Sequence, residues 1–365
     1  MYDICIVGAG ITGITAASVL ARELGKKVII IEKRNHIGGN CYDYYNKEGI
    51  LVHKYGPHIF HTKYKKIWDY LSQFTDWIPY THKVLAFVDG KFVSLPINIK
   101  TLEGLFNCHF TVKRMKDWIK EQKKHINRPK NAEEVVMGRM GRFLYEKLFK
   151  NYTLKQWGVE AKNLAPEVTT RIPIRFNRDD RYFTDFYQGI PKDGYTKIFE
   201  HMLSHKNIDL VLNTDYKRII NDVKFNKMVY TGPIDYFFDY QFDHLPYRSL
   251  KFVFKTLSQE WFQPVAVVNY PNNYNFTRIT EFKHLTGQKH AKTTICYEYP
   301  QDHKPEKNIP YYPLPTKEAK EKYKKYEKLT KRLKTVIFIG RLAEYKYLNM
   351  DECVKRGIEL DTLLI

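Results

Sequence analysis

The chain has 365 residues, 43% apolar and 15% aromatic, which supports a buried core in each of two or three domains and excludes a disordered chain. Lysine and arginine (60) outnumber aspartate and glutamate (40), a formal charge of +20 that raises nucleic acid, anionic membranes and acidic small molecules as partners. No apolar run reaches the roughly 18 residues of a membrane-spanning helix, and no nucleic-acid motif is present, so neither a membrane span nor nucleic-acid binding is expected.

The densest basic run, 317–334, mixes glutamate with lysine as a solvated helix face does. Five scattered cysteines (Cys5, Cys41, Cys108, Cys296, Cys353) in no C-x-x-C pair point to reduced thiols in a cytoplasm. A strand begins almost at the first residue, so no signal peptide is expected.

Residues 2–41 carry the clearest signal. Tyr2 to Val7 reads as a strand, Gly8-Ala9-Gly10-Ile11-Thr12-Gly13 as a turn, Ile14 to Leu24 as a helix, and Lys27 to Ile31 as a second strand ending at Glu32. This is the order of a dinucleotide-binding unit. Gly8 permits the tight turn, Gly10 lets a pyrophosphate approach the backbone, and Gly13 lets helix and strand pack closely. The helix's first N–H groups then face phosphate, and Glu32 is placed for a ribose hydroxyl. The turn does not separate NAD from FAD. Gly38-Gly39, just beyond, reads either as a flexible loop or as a second backbone concavity for a longer cofactor. The stretch Glu32 to Asn40 resembles the extended FAD signature of flavoproteins of the glutathione-reductase and amine-oxidase class.

Glu48 to Thr62 reads as a short strand and a Gly-Pro turn carrying His58 and His61, followed by a helix from Lys65 to Phe74. With no cysteine or carboxylate cluster nearby, no metal site is expected. Lys83 to Pro96 is a hairpin turning at Asp89-Gly90. Helical spacing follows in Thr101–Phe106, Lys113–His125 and Ala132–Lys150, a lobe inserted into the chain. It ends at Tyr152 and Trp157, which on their own read more readily as core anchors than as a base-stacking surface. Ala161 to Arg181, with Pro166, Pro173 and four arginines, is a solvated basic loop or a lid whose guanidinium matches two phosphate oxygens.

A helix over Lys197–Leu203 and a strand over Asp209–Asn213 return to the dinucleotide sheet, and Met228 to Pro233 leaves it. Strands rich in Phe, Tyr and Val fill 236–300, including Ser249–Leu257 and Val265–Tyr270, as in an antiparallel sheet. Alternation over Asn275–His284 places Arg278 and Glu281 on opposite faces. Thr335 to Arg341 is a strand closing on glycine, and Asn349 with Glu352 forms a capping-box pattern that starts a helix running toward Leu360. No catalytic triad or carboxylate pair is evident.

Two strings, Tyr55-Gly56-Pro57-His58-Ile59-Phe60-His61-Thr62 and Thr277-Arg278-Ile279-Thr280-Glu281-Phe282-Lys283-His284, are similar to those of the UDP-galactopyranose mutase family, and the similarity covers almost the whole chain. The fold this implies is α/β: a Rossmann-like FAD-binding domain (1–76, 205–235, 317–365), a helical lobe (99–165), and an antiparallel-sheet substrate domain (77–98, 166–204, 236–316) with a mobile loop near 163–176. The family interconverts UDP-galactopyranose and UDP-galactofuranose, which serves cell-surface polysaccharide. It does so on non-covalently bound, reduced FAD, through an adduct of flavin N5 with the sugar. The reaction has no net redox change, so a separate reductant must charge the flavin. A cytoplasmic homodimer acting on a UDP-sugar is expected.

By the same resemblance, FAD is held by Gly8, Gly10, Ile11, Thr12, Gly13, Glu32, Lys33, Gly39, Asn40, His58, Ile59, Arg341, Asn349, Met350 and Asp351. The substrate meets Tyr152, Thr153, Trp157, Tyr182, Asn269, Tyr311 and Tyr347, with Arg171 and Arg278 clamping the diphosphate and His61 beside the flavin. Some relatives carry aspartate where this chain has Asn349, so no acid–base role is assigned there. A conventional amine-oxidase-like FAD enzyme and a mutase preferring UDP-N-acetylgalactosamine are the enzyme alternatives. A basic nucleic-acid-binding protein is the third, and it predicts steep salt dependence and no flavin.

Overall fold

Ile4 to Val7 is buried on both faces, as a central parallel strand must be. The computed structural model, which describes residues 1–360, places it in the middle of a five-stranded parallel sheet. The order across that sheet is Ile208–Val211, Val28–Ile31, Tyr2–Val7, Phe225–Tyr230, Val336–Phe338. Val7 stands opposite Ile31 on one side and Tyr230 on the other. The helix Ile11–Arg22 is buried from Ile11 to Ala21, with Thr12, Thr15 and Ser18 as its only polar residues in that span. Met228 to Pro233 is expected to leave this sheet, and its first three residues end the strand Phe225–Tyr230. That strand is an inner one, because Met228, Val229 and Tyr230 are all buried, so the chain departs only after Tyr230.

The chain divides into two compact units. The first comprises Met1–Tyr80, Asp185–Leu245 and the segment from Glu321 onward; the second comprises Thr81–Thr184 and Pro246–Lys320. The last five residues of the expected 317–365 segment lie outside the described residues.

The expected boundary at 205 is displaced, because 185–204 belongs with the first unit. Tyr187–Pro191 pairs antiparallel with both Phe60–Thr62 and Trp77–Pro79. The next helix, Tyr195–Leu203, buries Ile198, Phe199 and Met202 in the core that holds Ile14 and Leu20. The buried Asp43 carboxylate caps that helix, accepting from the Tyr195 N–H at 2.6 Å and the Thr196 N–H at 2.8 Å. A capping acid more than 150 positions upstream leaves no local trace in the sequence.

In the second unit, one seven-stranded sheet runs Tyr312–Pro313, Tyr247–Leu257, Thr293–Asp302, Arg278–Glu281, Val267–Asn269, Val84–Val88, Lys91–Leu95. It is antiparallel except where Val267–Asn269 lies parallel to Val84–Val88. The helical lobe is part of this unit, since Leu102, Met115 and Met140 share a core with Ala86, Val88 and Val93. The long helix expected over Ala132–Lys150 is broken. Gly141 sits at φ 82°, where a Cβ would fall 2.3 Å from the Gln122 carbonyl oxygen, and a π-helical turn at Tyr145–Phe149 leads into Lys150–Trp157.

Candidate functional site

In the first unit the glycine turn separates structural from ligand-facing glycines. A Cβ on Gly8 (φ +105°) would lie 2.3 Å from the Thr231 hydroxyl, and one on Gly13 would lie 2.1 Å from the Gly8 carbonyl oxygen. Those two positions serve the fold. Gly10 has ordinary extended backbone (φ −80°, ψ 174°), and a Cβ there would meet only the Gly39 Cα, at 4.0 Å. The space over Gly10 is therefore open. The helix starting at Ile11 has no acid in its first turn and no side-chain cap, so its N-terminal N–H groups and partial positive charge are left for an anion. Thr12 is buried in that turn.

Glu32 is 7% exposed, and its carboxylate accepts from the Ala9 N–H at 2.7 Å and the Arg34 N–H at 2.8 Å. Each oxygen keeps a lone pair for a ribose hydroxyl. The Lys33 ammonium is engaged by Asp215 at 3.2 Å, which leaves only its backbone for a cofactor. Asn40 accepts both terminal N–H groups of Arg34 at 3.1 Å, which fixes the loop carrying Gly39. A glycine cradle, an uncapped helix start and an acid at the end of the second strand fit a bound dinucleotide.

The Tyr55–Thr62 string borders this cradle. His58 donates its backbone N–H to His53 Nδ1 at 3.0 Å, and burial lowers the pKa of both imidazoles to about 3, so both are neutral. Ile59 is buried. Thr62 donates its hydroxyl to Asp351 at 3.0 Å, tying the string to the start of the helix Met350–Ile358. Glu352 turns back to accept from the Asn349 N–H at 2.7 Å. With Asp351 and Glu352 both in the first turn, this helix end is less positive than an uncapped one. The Arg341 guanidinium lies 4.8 Å over the Tyr347 ring.

His61 pairs with Asp185, Nδ1 to Oδ2 at 2.6 Å. Asp185 is held in turn by Gln188, whose Nε2 donates to its carbonyl at 2.6 Å and which stands opposite His61 across the strand pair. Facing a carboxylate, Nδ1 is the donor, which directs the acceptor character of a neutral ring to Nε2. Asp185→Asn offers an amide that can donate as well as accept, so this tautomer is no longer imposed. The expected result is a fall of about tenfold or more in kcat with KM and flavin content unchanged, and a smaller loss for Asp185→Glu. Steady-state kinetics beside flavin quantitation check it, and an unaltered kcat for Asp185→Asn would remove Asp185 from the site.

In the second unit, Asn269, Arg278 and Glu298 stand in register on three neighbouring strands, so their side chains share one face of the sheet. Arg278 keeps a quarter of its side chain exposed, while Glu298 is 3% exposed. Their closest atoms, Nε and Oε2, are 3.2 Å apart, and an Arg278 terminal N–H donates to the Tyr152 hydroxyl at 3.1 Å. Burial alone would lower the Arg278 pKa, but the Glu298 carboxylate and the Tyr152, Tyr312 and Tyr182 side chains together outweigh it and fix the positive charge. Burial pushes Glu298 above the ordinary carboxylate range, against the pull of Arg278. Asn269 Oδ1, Arg278 Nε and Glu298 Oε1 are buried without a hydrogen-bond partner among the described residues. Orphaned polar atoms around a fixed guanidinium are what a polar, anionic ligand would satisfy.

Of the other expected substrate residues, Tyr182 interacts electrostatically with both Arg278 and Tyr152. Trp157 is 8% exposed and packed near Tyr312 in the core, a buried anchor rather than an open stacking face. Thr153 and Tyr311 are also buried. Tyr182 is partly exposed, and its N–H donates to the His82 carbonyl at 2.7 Å. Tyr347 belongs to the first unit. Arg171 is exposed at the end of the short helix Glu167–Thr170. Its loop neighbours are also engaged: Arg175 to the Asp179 and Arg181 carbonyls, Arg178 to Glu103 on the helix Ile99–Phe106 at 2.6 and 2.8 Å, and Arg181 to Asp179 at 2.9 Å.

Sequence reasoning missed Glu298 and Asp185. The available signal for Glu298 was a carboxylate at an inward position of an alternating strand, in line with Thr294 and Cys296.

Residues 147–347 match the family model for UDP-galactopyranose mutase, and residues 6–74 match that for an NAD(P)-binding Rossmann-like domain. The chain is 37% identical to the dTDP-fucopyranose mutase of Escherichia coli, covering 100% of this chain and 99% of that protein. It is 38% identical to a probable UDP-galactopyranose mutase of Klebsiella pneumoniae, over 98% and 93% of the two chains. A crystal structure of reduced UDP-galactopyranose mutase shares its fold, with a TM-score of 0.79 at 18% identity over 100% of this chain and 96% of that one. The glycine cradle and the arginine-bearing sheet thus sit in a chain that belongs, over its full length, to the UDP-galactopyranose mutase family.

Proposed function

We propose that this protein interconverts UDP-galactopyranose and UDP-galactofuranose with reduced FAD as its cofactor. The observation that carries this reading is Arg278, held between Glu298 and Tyr152 and in register with the orphaned Asn269 oxygen. FAD, when bound, supplies the nucleophile for the anomeric carbon. The first unit's residues hold it: the Gly10 face and the helix start take the pyrophosphate, Glu32 a ribose, and His61, oriented by Asp185, stands ready to accept or return a proton at Nε2.

The second unit grips the nucleotide diphosphate. Charge builds on that leaving group as its bond to the sugar breaks, and Arg278, joined by Arg171 from its loop, stabilises it there. The same grip keeps the diphosphate positioned for return, so the two half-reactions need no second base. Five unpaired thiols suit a reducing cytoplasm, where a separate reductant charges the flavin. The assembly is a homodimer.

A second reading comes from the Escherichia coli relative named for dTDP-fucopyranose, a 6-deoxy sugar on a thymidine diphosphate. The test is to incubate dithionite-reduced protein with UDP-galactofuranose and with dTDP-fucofuranose and to chromatograph the nucleotide sugars. A higher kcat/KM on the UDP-sugar supports the first reading, and the reverse order supports the second. Conversion of neither ends both.

A further inference from the structure

Lys155 lies on the last turn of the helix Lys150–Trp157, three positions after Tyr152. Its ammonium donates to three backbone carbonyls of a single loop: Tyr270 at 2.5 Å, Tyr274 at 2.9 Å and Phe276 at 3.0 Å. A lysine ammonium has three N–H groups, so its donor capacity is fully taken by this loop. The loop spans the gap between the strand ending at Asn269 and the strand beginning at Arg278. It has no ladder of its own beyond the Tyr270 N–H to Thr277 carbonyl bond of 2.8 Å, and Asn273 within it takes a left-handed φ of 61°.

Three carbonyl oxygens converging on one point repel each other unless a cation sits between them, so the loop's shape depends on Lys155. Two amide contacts close the same seam. Asn151 donates to the Asn272 side-chain oxygen at 2.9 Å, and Asn272 donates to the Lys147 carbonyl at 2.9 Å. Burial lowers the Lys155 pKa to about 8, the mark of an ammonium drawn out of water into this seam. The Tyr152–Arg278 hydrogen bond crosses the same boundary.

We propose that Lys155 is a positioning residue whose ammonium ties the Tyr152 helix to the Asn269–Arg278 loop, so that aromatic and guanidinium groups recognise a nucleoside diphosphate as one rigid set. This inference rests on the assignment of that cluster to the nucleotide sugar. It adds a residue that touches no substrate, and a purely structural lysine in its place would affect stability alone.

The experiment compares wild type and Lys155→Met as flavin-loaded proteins. Calorimetric titration with UDP and dTDP in parallel, and with the corresponding monophosphates, is set beside steady-state kinetics. Lys155→Met is expected to weaken diphosphate binding tenfold or more, to raise KM more than it lowers kcat, and to shrink the preference for diphosphate over monophosphate, with flavin content unchanged. Ethylammonium added to Lys155→Ala is expected to restore part of the lost affinity. A folded, flavin-loaded Lys155→Met with wild-type diphosphate affinity overturns the proposal, even if it melts earlier. Should that variant fail to fold, Asn272→Ala removes the second tie across the seam. It is expected to weaken diphosphate binding in the same direction by a smaller factor, and unchanged affinity there overturns the proposal equally. Wild type binding neither UDP nor dTDP would instead defeat the substrate assignment itself.

Discussion

Arg278→Ala should lower kcat/KM by about 10³ while leaving flavin bound, because it removes a charge-assisted donor where the leaving group gains charge. The same change strands Glu298, which is 3% exposed and whose nearest cation is Arg278 at 3.2 Å. Breaking a buried ion pair from one side costs about 3–5 kcal/mol of stability, so lost activity alone would not separate chemistry from unfolding. The pH dependence separates them. Burial already raises the Glu298 pKa in the folded state, and loss of Arg278 raises it further. A carboxylate whose folded pKa lies above its unfolded value takes up a proton on folding. The variant therefore keeps its stability below the unfolded value of about 4.3 and loses it progressively as pH rises toward the folded pKa. Thermal unfolding at pH of about 5 and about 8 should show a larger deficit at the higher pH. Adding Glu298→Gln should restore stability without restoring turnover. A deficit independent of pH, or a double variant that recovers activity, would contradict this account of the pair.

The second large effect is expected at Gly10. Its backbone is extended and its Cβ direction is open, so Gly10→Val should fold. The added methyls fill the space where a pyrophosphate must approach, and flavin content should fall at least about tenfold, with the thermal midpoint dropping to that of flavin-free protein as ligand stabilisation is lost. Gly13→Ala should behave differently. A Cβ 2.1 Å from the Gly8 carbonyl forces the helix off the strand, so loss of folded protein is expected rather than loss of cofactor alone. Flavin absorbance of the purified variants, with circular dichroism for folding, distinguishes the two. Gly10→Val retaining full flavin would show that the cofactor does not cross that glycine.

The glycine turn and its acid were legible because that unit is local: Gly8 to Glu32 span one strand, one helix and the start of the next element. The hairpin at Asp89-Gly90 was legible for the same reason, with both residues at positive φ as its turn requires. What stayed hidden depends on partners distant in sequence. Asp185 acquires meaning only beside His61, Lys155 only beside the 270–276 carbonyls, and Glu298 only through the strand register that sets it opposite Arg278. The place of 185–204 was missed because its strand alternates too little to name its partners, which lie more than a hundred residues upstream. The break at Gly141 was missed because a glycine within an apolar helical pattern reads as a tolerated weak point, not a reversal.

In the proposed reaction a reduced flavin acts without being consumed. The decisive measurement divides one flavin-loaded preparation into oxidised and dithionite-reduced halves and gives both UDP-galactofuranose. UDP-galactopyranose should accumulate over many turnovers in the reduced half only, with the flavin still reduced at the end. Equal conversion in both halves, no conversion in the reduced half, or flavin oxidised in proportion to product would contradict it.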